Sequence, residues 1–259
     1  PKFVVFDLKL QIPASRYMKL HFDIEEGSEM EENSSPTLYT YCIPYDDGAA
    51  PNPFWGICTL VICKPVIRRT AKKGDWVVGI GSKNSPIGDI SKHVVYAMKI
   101  TDKMTLEEYD RFCQNQYLKK IPDWNSKDWR RRLGDCIYDF SKNPPKMRKG
   151  IHNEGNRARD LGGEYALISS HFYYFGNFPI EIPKSLHAII KEGQGHKSQS
   201  NAPYINSFLS WIKSLRSKPN KLYSNPQLKI FKNKEYISKC AEYRRKEAEI
   251  DEQMGTGCE

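Results

Sequence analysis

The sequence predicts an α+β fold from three features. Short runs rich in Val, Ile, Tyr and Phe recur between turn residues from position 38 to position 175. Helical spacing of apolar residues becomes clear only in the last third, where Ile205, Phe208, Leu209, Ile212 and Leu215 fall between Pro203 and Pro219. The 259 residues are 39% hydrophobic, enough to bury most of the apolar surface in one core.

Val4, Phe6, Leu8 and Leu10 alternate at period two and predict an N-terminal strand, which the acidic, Ser-rich stretch 25–35 ends in a mobile loop. TLYTYCIPY predicts a strand, DDGAAPNPF a turn-rich loop, and the β-branched GICTLVIC a buried central strand. Pro65 starts a short helix through VIRRTAKK, Gly74-Asp75 turns the chain into the strand WVVGIG, and HVVYAMKI is the next strand. Thr101 is read as the cap of a helix over TLEEYDRF. GDCIYDF and YALISSHFYYFG are further strand candidates, separated by a polar loop that contains His152 and Asp160. A last helix is expected from 234 to about 253. The expected organisation is an N-terminal strand and loop in 1–36, a core domain in 37–200 and a helical extension packed on it in 201–259.

Forty Lys and Arg against 31 Asp and Glu leave a net charge of +9, which favours an anionic partner such as DNA or a nucleotide. Seven irregularly spaced cysteines argue against a secreted disulfide framework and for reduced thiols in a cytoplasm. The sequence lacks a run of about eighteen apolar residues, and its first residues alternate instead of forming a signal pattern. Neither membrane insertion nor export is expected.

Familiar nucleotide motifs fail on inspection. GIGSKN at 79–84 opens like a dinucleotide fingerprint, but Asn84 stands where glycine is needed. In Gly195-His196-Lys197-Ser198 the histidine interrupts the Gly-Lys pair of a phosphate loop. Cys58 and Cys63, five apart on an expected strand, would face opposite sides, so no metal site is expected. One of these thiols is a nucleophile if His152 or His196 approaches it; otherwise both are small core hydrophobes.

The remaining candidates are grouped by chemistry. Asp47 and Asn52, in a stiff proline-flanked loop, are candidate acid, base or polar anchors, as are His196 and Lys197 in a glycine-flanked loop able to close over a ligand. Lys64 and Arg68 at a helix start, with Ser82, are candidates for phosphate. Cys58 is the candidate thiol, and Trp55, Trp76 and Tyr173 offer faces for base stacking, although most rings at this density belong to a core. Together, Lys64, Arg68, Asn52 and His196 are expected to converge on one cleft sized for a heterocycle and its phosphate.

APNPFWGICTLVICKPVIRRTAKKGDWVVGIGS, VYAMKIT, GDCIYDF, HFYYFG and GQGHK, in that order, resemble the nucleotide-modification-associated domain family, second type, over 38–197. The resemblance implies a setting in bacterial and phage systems that make, alter or recognise unusual bases, without specifying a reaction. It carries over Asp47, Asn52, Cys58, Lys64, Arg68, Asp75, Ser82, His196 and Lys197, with His152 and Asp160 added from the polar loop. The strand order also resembles the PUA-like barrels of the EVE and ASCH type, which implies a small mixed β-barrel with flanking helices around a base pocket. Three functions are therefore expected: a base-modification component that binds and processes a nucleotide or modified DNA base, a non-catalytic reader that recruits an effector, or a basic protein-interaction module. The partners implied are DNA or a nucleotide and other proteins of a modification or defence system; no cofactor is indicated.

Overall fold

In a computed structural model, which describes residues 35–227, one bent antiparallel hairpin carries both main sheets. In chain order the elements are β1 (Leu38–Ile43), β2 (Cys58–Leu60), α1 (Pro65–Thr70), β3 (Trp76–Gly81), β4 (His93–Lys99), β5 (Asp102–Thr105), α2 (Leu106–Asn115), β6 (Tyr138–Asp139), β7 (Lys146–Met147) and α3 (Arg157–Leu161). There follow β8 (Tyr165–Ser169), β9 (His171–Tyr174), β10 (Ile180–Glu181), β11 (His196–Lys197), α4 (Ile205–Ser214) and β12 (Lys221–Leu222). The described residues from Pro36 onward belong to one compact unit.

The larger sheet runs β11-β1-β3-β4-β9-β12, with β10 also on β4, and the smaller runs β2-β8-β5. β1 pairs β3 in parallel and β12 pairs β9 in parallel; the other ladders are antiparallel. The hairpin keeps its register through the bend, from Tyr96 opposite Tyr174 and Lys99 opposite His171 to Asp102 opposite Ile168 and Thr105 opposite Tyr165. At the corner the Thr101 N–H donates to the Ile168 carbonyl at 2.9 Å, and the Ser170 N–H donates to Thr101 Oγ1 at 2.9 Å. Two sheets are thus made from one pair of strands, with the Thr101 and Ser170 N–H groups both satisfied at the turn.

Period-two alternation assigns the faces. Tyr39, Tyr41, Val77, Tyr96, Met98, Phe172 and Tyr174 of the larger sheet meet Cys58, Leu60 and Leu167 of the smaller in a shared core. Leu38, Trp76, Val78, Ala97 and Tyr173 point the other way and pack under Ile205, Phe208 and Ile212 of α4. Phe208 meets Trp76 edge-on at 6.0 Å between ring centroids, and its full burial is worth roughly 1.5–3 kcal/mol. The larger sheet is therefore covered on both faces, which explains the near-continuous apolar runs in β3 and β4.

The α+β class stands, but the ladders do not close into a barrel. Among the described residues β11 and β12 end the larger sheet, and β2 and β5 end the smaller. The bend at Thr101 and Ser170 divides the strands between two sheets before closure. GICTLVIC contributes only Cys58–Leu60, at an edge and not at the centre, because the backbone turns sharply at Cys63 (φ 61°) and Lys64 (φ 43°) to enter α1. The cap of α2 is Thr105 and not Thr101. Thr105 Oγ1 accepts the Glu108 N–H at 3.2 Å, the Glu108 carboxylate accepts the Thr105 N–H at 2.8 Å, and 102–105 is strand. GDCIYDF yields only the two residues of β6. The N-terminal strand expected at 3–10 and the helix expected from 234 lie outside the described residues. None of the described helices is long and apolar enough to cross a membrane.

Candidate functional site

The turn between β2 and α1 places Cys63 against two side chains from the segment between β7 and β8. Cys63 Sγ lies 3.5 Å from His152 Nε2, and His152 Nδ1 lies 2.5 Å from Asp160 Oδ2. The Asp160 carboxylate also accepts the Cys63 N–H at 3.0 Å and the Tyr138 hydroxyl at 3.1 Å. One carboxylate thus fixes both the backbone of the cysteine and the ring that faces its sulfur. Positive φ at two successive non-glycine residues, Cys63 and Lys64, is a strained conformation, held here by Pro65 at the helix start and by the bond to Asp160.

Arg68 completes the frame. It is fully buried, and its Nε, Nη1 and Nη2 donate to the carbonyls of Cys63 at 2.8 Å, Tyr165 at 2.9 Å and Asp160 at 2.5 Å. Burial lowers its pKa to about 10, with Asp160 opposing the shift. His152 is shifted upward: burial disfavours its imidazolium, but the Asp160 carboxylate and the neighbouring Cys63 outweigh burial and raise its pKa to about 9. For Asp160, burial opposes ionisation, and the charges of His152 and Arg68 nevertheless hold it below the usual carboxylate range.

Cys63, His152 and Asp160 present ligand atoms within 4.8 Å of one another, near enough to raise the question of a metal. Their arrangement is a relay. The histidine uses opposite ring nitrogens for sulfur and carboxylate, and the 2.5 Å N···O separation is a hydrogen bond. Two ligands on one tetrahedral zinc, each about 2.0 Å from the ion, would stand roughly 3.3 Å apart.

A small recess beside Cys63 is lined by Tyr41, Tyr45, Ala50, Cys63, Lys64 and Arg159. It shares Cys42, Pro44 and Lys64 with an open cleft of about 330 Å³, whose other walls include Ser82, Lys83, Asn84, Lys191 and Gln194. Three lysines therefore surround a concavity at the low end of the volume range that small-molecule sites occupy, about 300–1,000 Å³.

Of the four residues expected to converge, Lys64 lines this cleft, beside the phosphate candidate Ser82, while Arg68, Asn52 and His196 do not. Arg68, expected on phosphate, commits its guanidinium to three carbonyls. Asn52 is fully buried, donating to the carbonyls of Gly48 and Leu133 and accepting from Lys120 Nζ at 2.7 Å. Asp47 is buried and accepts the Ala49 N–H at 2.9 Å; Asp75 closes a turn by accepting the N–H groups of Thr37 and Lys72. His196 and Lys197 sit on β11, just beyond the loop that walls the cleft. The His196 ring lies 5.8 Å from that of Tyr39, and Lys197 Nζ donates to the Ala188 carbonyl.

The expected stacking faces also lie elsewhere. Trp76 and Tyr173 are sealed under α4, and Trp55 is covered by Lys119 and Arg130 at 4.9 and 4.8 Å from its ring centroid. Cys58 is fully buried in the core, where burial pushes its thiol well above the ordinary range. The thiol in the relay is Cys63. Its place at the strand-to-helix junction before Lys64-Pro65 is the sequence signal that separates it from Cys58. Lys83, Lys191, Tyr138 and Arg159 went unanticipated, because each reaches the site through tertiary packing, Lys83 from the GIGSKN segment set aside as a dinucleotide motif.

The fold and site define a class: an open-sheet α+β protein with a basic cleft above a buried thiol–imidazole–carboxylate relay. The family model for nucleotide modification associated domain 2 matches residues 35–235, and the chain belongs to that family. Membership links it to nucleotide modification. No curated protein and no solved structure gives a significant match.

Proposed function

We propose that the cleft binds a nucleotide, free or within DNA, as part of a base-modification system. Phosphate meets Lys64, Lys83 and Lys191, and the heterocycle lies in the 330 Å³ cleft with its edge toward the recess lined by Tyr41, Tyr45 and Cys63, whose volume of about 30 Å³ admits only a small substituent. The observation that supports this reading is the concentration of three lysines around a concavity, beside polar groups from Ser82, Asn84 and Gln194 suited to the edge of a base. Charge at the mouth supplies affinity and encounter rate, while the deeper polar groups supply discrimination.

The test is calorimetric titration with deoxynucleoside monophosphates and with short oligonucleotides carrying ordinary or modified bases, at low and moderate salt. The expected result is binding that weakens with salt, prefers some bases over others, and falls at least tenfold in the Lys64→Ala/Lys83→Ala/Lys191→Ala variant. Binding that is absent, or equal in the variant, overturns the reading. Steep salt dependence without any base preference points instead to a general acidic partner.

A further inference from the structure

We propose that Cys63 is a covalent nucleophile, with His152 as its acid–base partner and Asp160 and Arg68 as positioning residues, and that it transfers an acyl group from an amide or ester substituent of the ligand bound above it. The choice of ligand rests on the nucleotide reading of the cleft; the nucleophile itself stands on the relay. Sulfur, imidazole and carboxylate follow one another at 3.5 and 2.5 Å, the order in which a base removes a proton and a third group orients that base. The sulfur sits on a strained strand-to-helix turn, a device that presents a nucleophile away from its own strand. It also borders the recess that joins the cleft.

The relay favours acyl transfer over addition to a ring carbon. Addition requires no departing group at the attacked atom, whereas acyl transfer needs a proton delivered to one, and His152 Nε2 is placed at the sulfur for that delivery. In the first half-reaction the proton shared by Cys63 and His152 starts on His152 Nε2, in keeping with the raised pKa of that imidazole, and the sulfur bonds to the carbonyl carbon. The carbonyl oxygen gains negative charge in a recess also lined by Lys64 and Arg159. The carbon–nitrogen or carbon–oxygen bond then breaks, the leaving amine or alcohol takes the proton from His152, and a thioester remains. In the second half, water or an acceptor amine gives a proton to His152 and bonds to the same carbon. The carbon–sulfur bond breaks, and the proton stays on His152 Nε2 beside the restored sulfur anion. No electrons are exchanged with an external oxidant or reductant.

The test uses iodoacetamide and p-nitrophenyl acetate on the full chain, with peptide mass spectrometry to locate the adduct. Cys63 should be modified first, at least tenfold faster than Cys58, Cys113 or Cys136. Cys63→Ser should abolish the p-nitrophenol burst. His152→Gln should slow modification at least tenfold, with the circular dichroism spectrum retained. A wild-type rate at Cys63 no greater than that of glutathione at the same pH overturns the proposal without any variant. One zinc per chain whose removal alone exposes Cys63 to reagent also overturns it. If Cys63 reacts as expected but nucleotides neither bind nor protect it, the nucleotide reading fails and the nucleophile stands. If nucleotides bind and Cys63 is inert, the reverse holds.

Discussion

Arg68 lies directly against Gly163: a Cβ at Gly163 would come within 2.0 Å of the Cζ and Nη2 of that guanidinium. Gly163 has no side chain to give way, and Arg68 is held by three carbonyls that include those of Cys63 and Asp160. Gly163→Ala should therefore displace Arg68 and lower stability by about 2–4 kcal/mol. Chemical denaturation measures the loss, and a change below about 0.5 kcal/mol, the ordinary scatter of neutral substitutions, contradicts it.

Substituting the arginine itself separates charge from geometry. Arg68→Lys keeps a cation but cannot reach three carbonyls at once, and Arg68→Met leaves all three without this donor. Both should destabilise, Met by roughly 3–5 kcal/mol. In whatever fraction of the lysine variant folds, the rate of Cys63 alkylation should fall, because the turn that carries the sulfur has lost its brace. Unchanged alkylation in the lysine variant would show that the turn holds itself.

The pH dependence of stability has a definite sign. His152 binds its proton up to about 9 when folded, against 6.5 for an unperturbed imidazole. Its contribution is complete below 6.5 and disappears as the pH rises through about 9. Asp160 is depressed below 3.8, so its contribution is present above that value and is lost as acid protonates the folded carboxylate. The melting temperature should fall between pH 6.5 and 9, and His152→Gln should flatten that fall. A wild-type curve with no decline across the alkaline window rules out the ion pair.

A second buried network predicts a different phenotype. Lys120 is fully buried, and its Nζ donates to the Asn52 carbonyl at 2.8 Å, to Asn52 Oδ1 at 2.7 Å and to Thr59 Oγ1 at 2.9 Å. Thr59 Oγ1 in turn donates to Asp135 at 2.5 Å, and Asp135 also accepts from the Tyr109 hydroxyl at 2.7 Å. Lys120→Met should cost about 3–5 kcal/mol, because it removes the cation that offsets the burial of Asp135 and leaves the surrounding acceptors without their donor. Asn52→Ala should cost about 1–3 kcal/mol. Neither should alter the nucleotide affinity of the protein that remains folded, as titration below the melting transition would show.

How much of this was legible in the sequence follows from how local each signal is. Runs of β-branched and aromatic residues between turn residues located β1, β3 and β4, and Pro65 located the start of α1, since strand composition and proline geometry depend on neighbouring residues alone. The Thr101 reading failed because a second threonine, Thr105, stood at the spacing of a capping box with Glu108. Residue type suggested Arg68 and Asn52 as ligand contacts, but type does not reveal burial; both became internal ties. The relay was visible only as a condition, that a thiol meet His152, because Cys63 and its partners are separated by 89 and 97 positions in sequence. Which of two cysteines met the histidine depended on a backbone reversal of two residues.

The uninterrupted register of the bent hairpin has an architectural consequence. Everything from Leu106 to Glu164 is an excursion whose two ends are pinned opposite each other where Thr105 pairs with Tyr165. The sulfur belongs to the scaffold, whereas its imidazole and carboxylate arrive on the excursion. Rebuilding the loop between β7 and α3 retunes the partners offered to a stationary thiol, whereas α2 and Lys120 tie the rest of the excursion to the framework. Sliding either strand of the hairpin by one position would turn that strand's inward side chains outward in both sheets together.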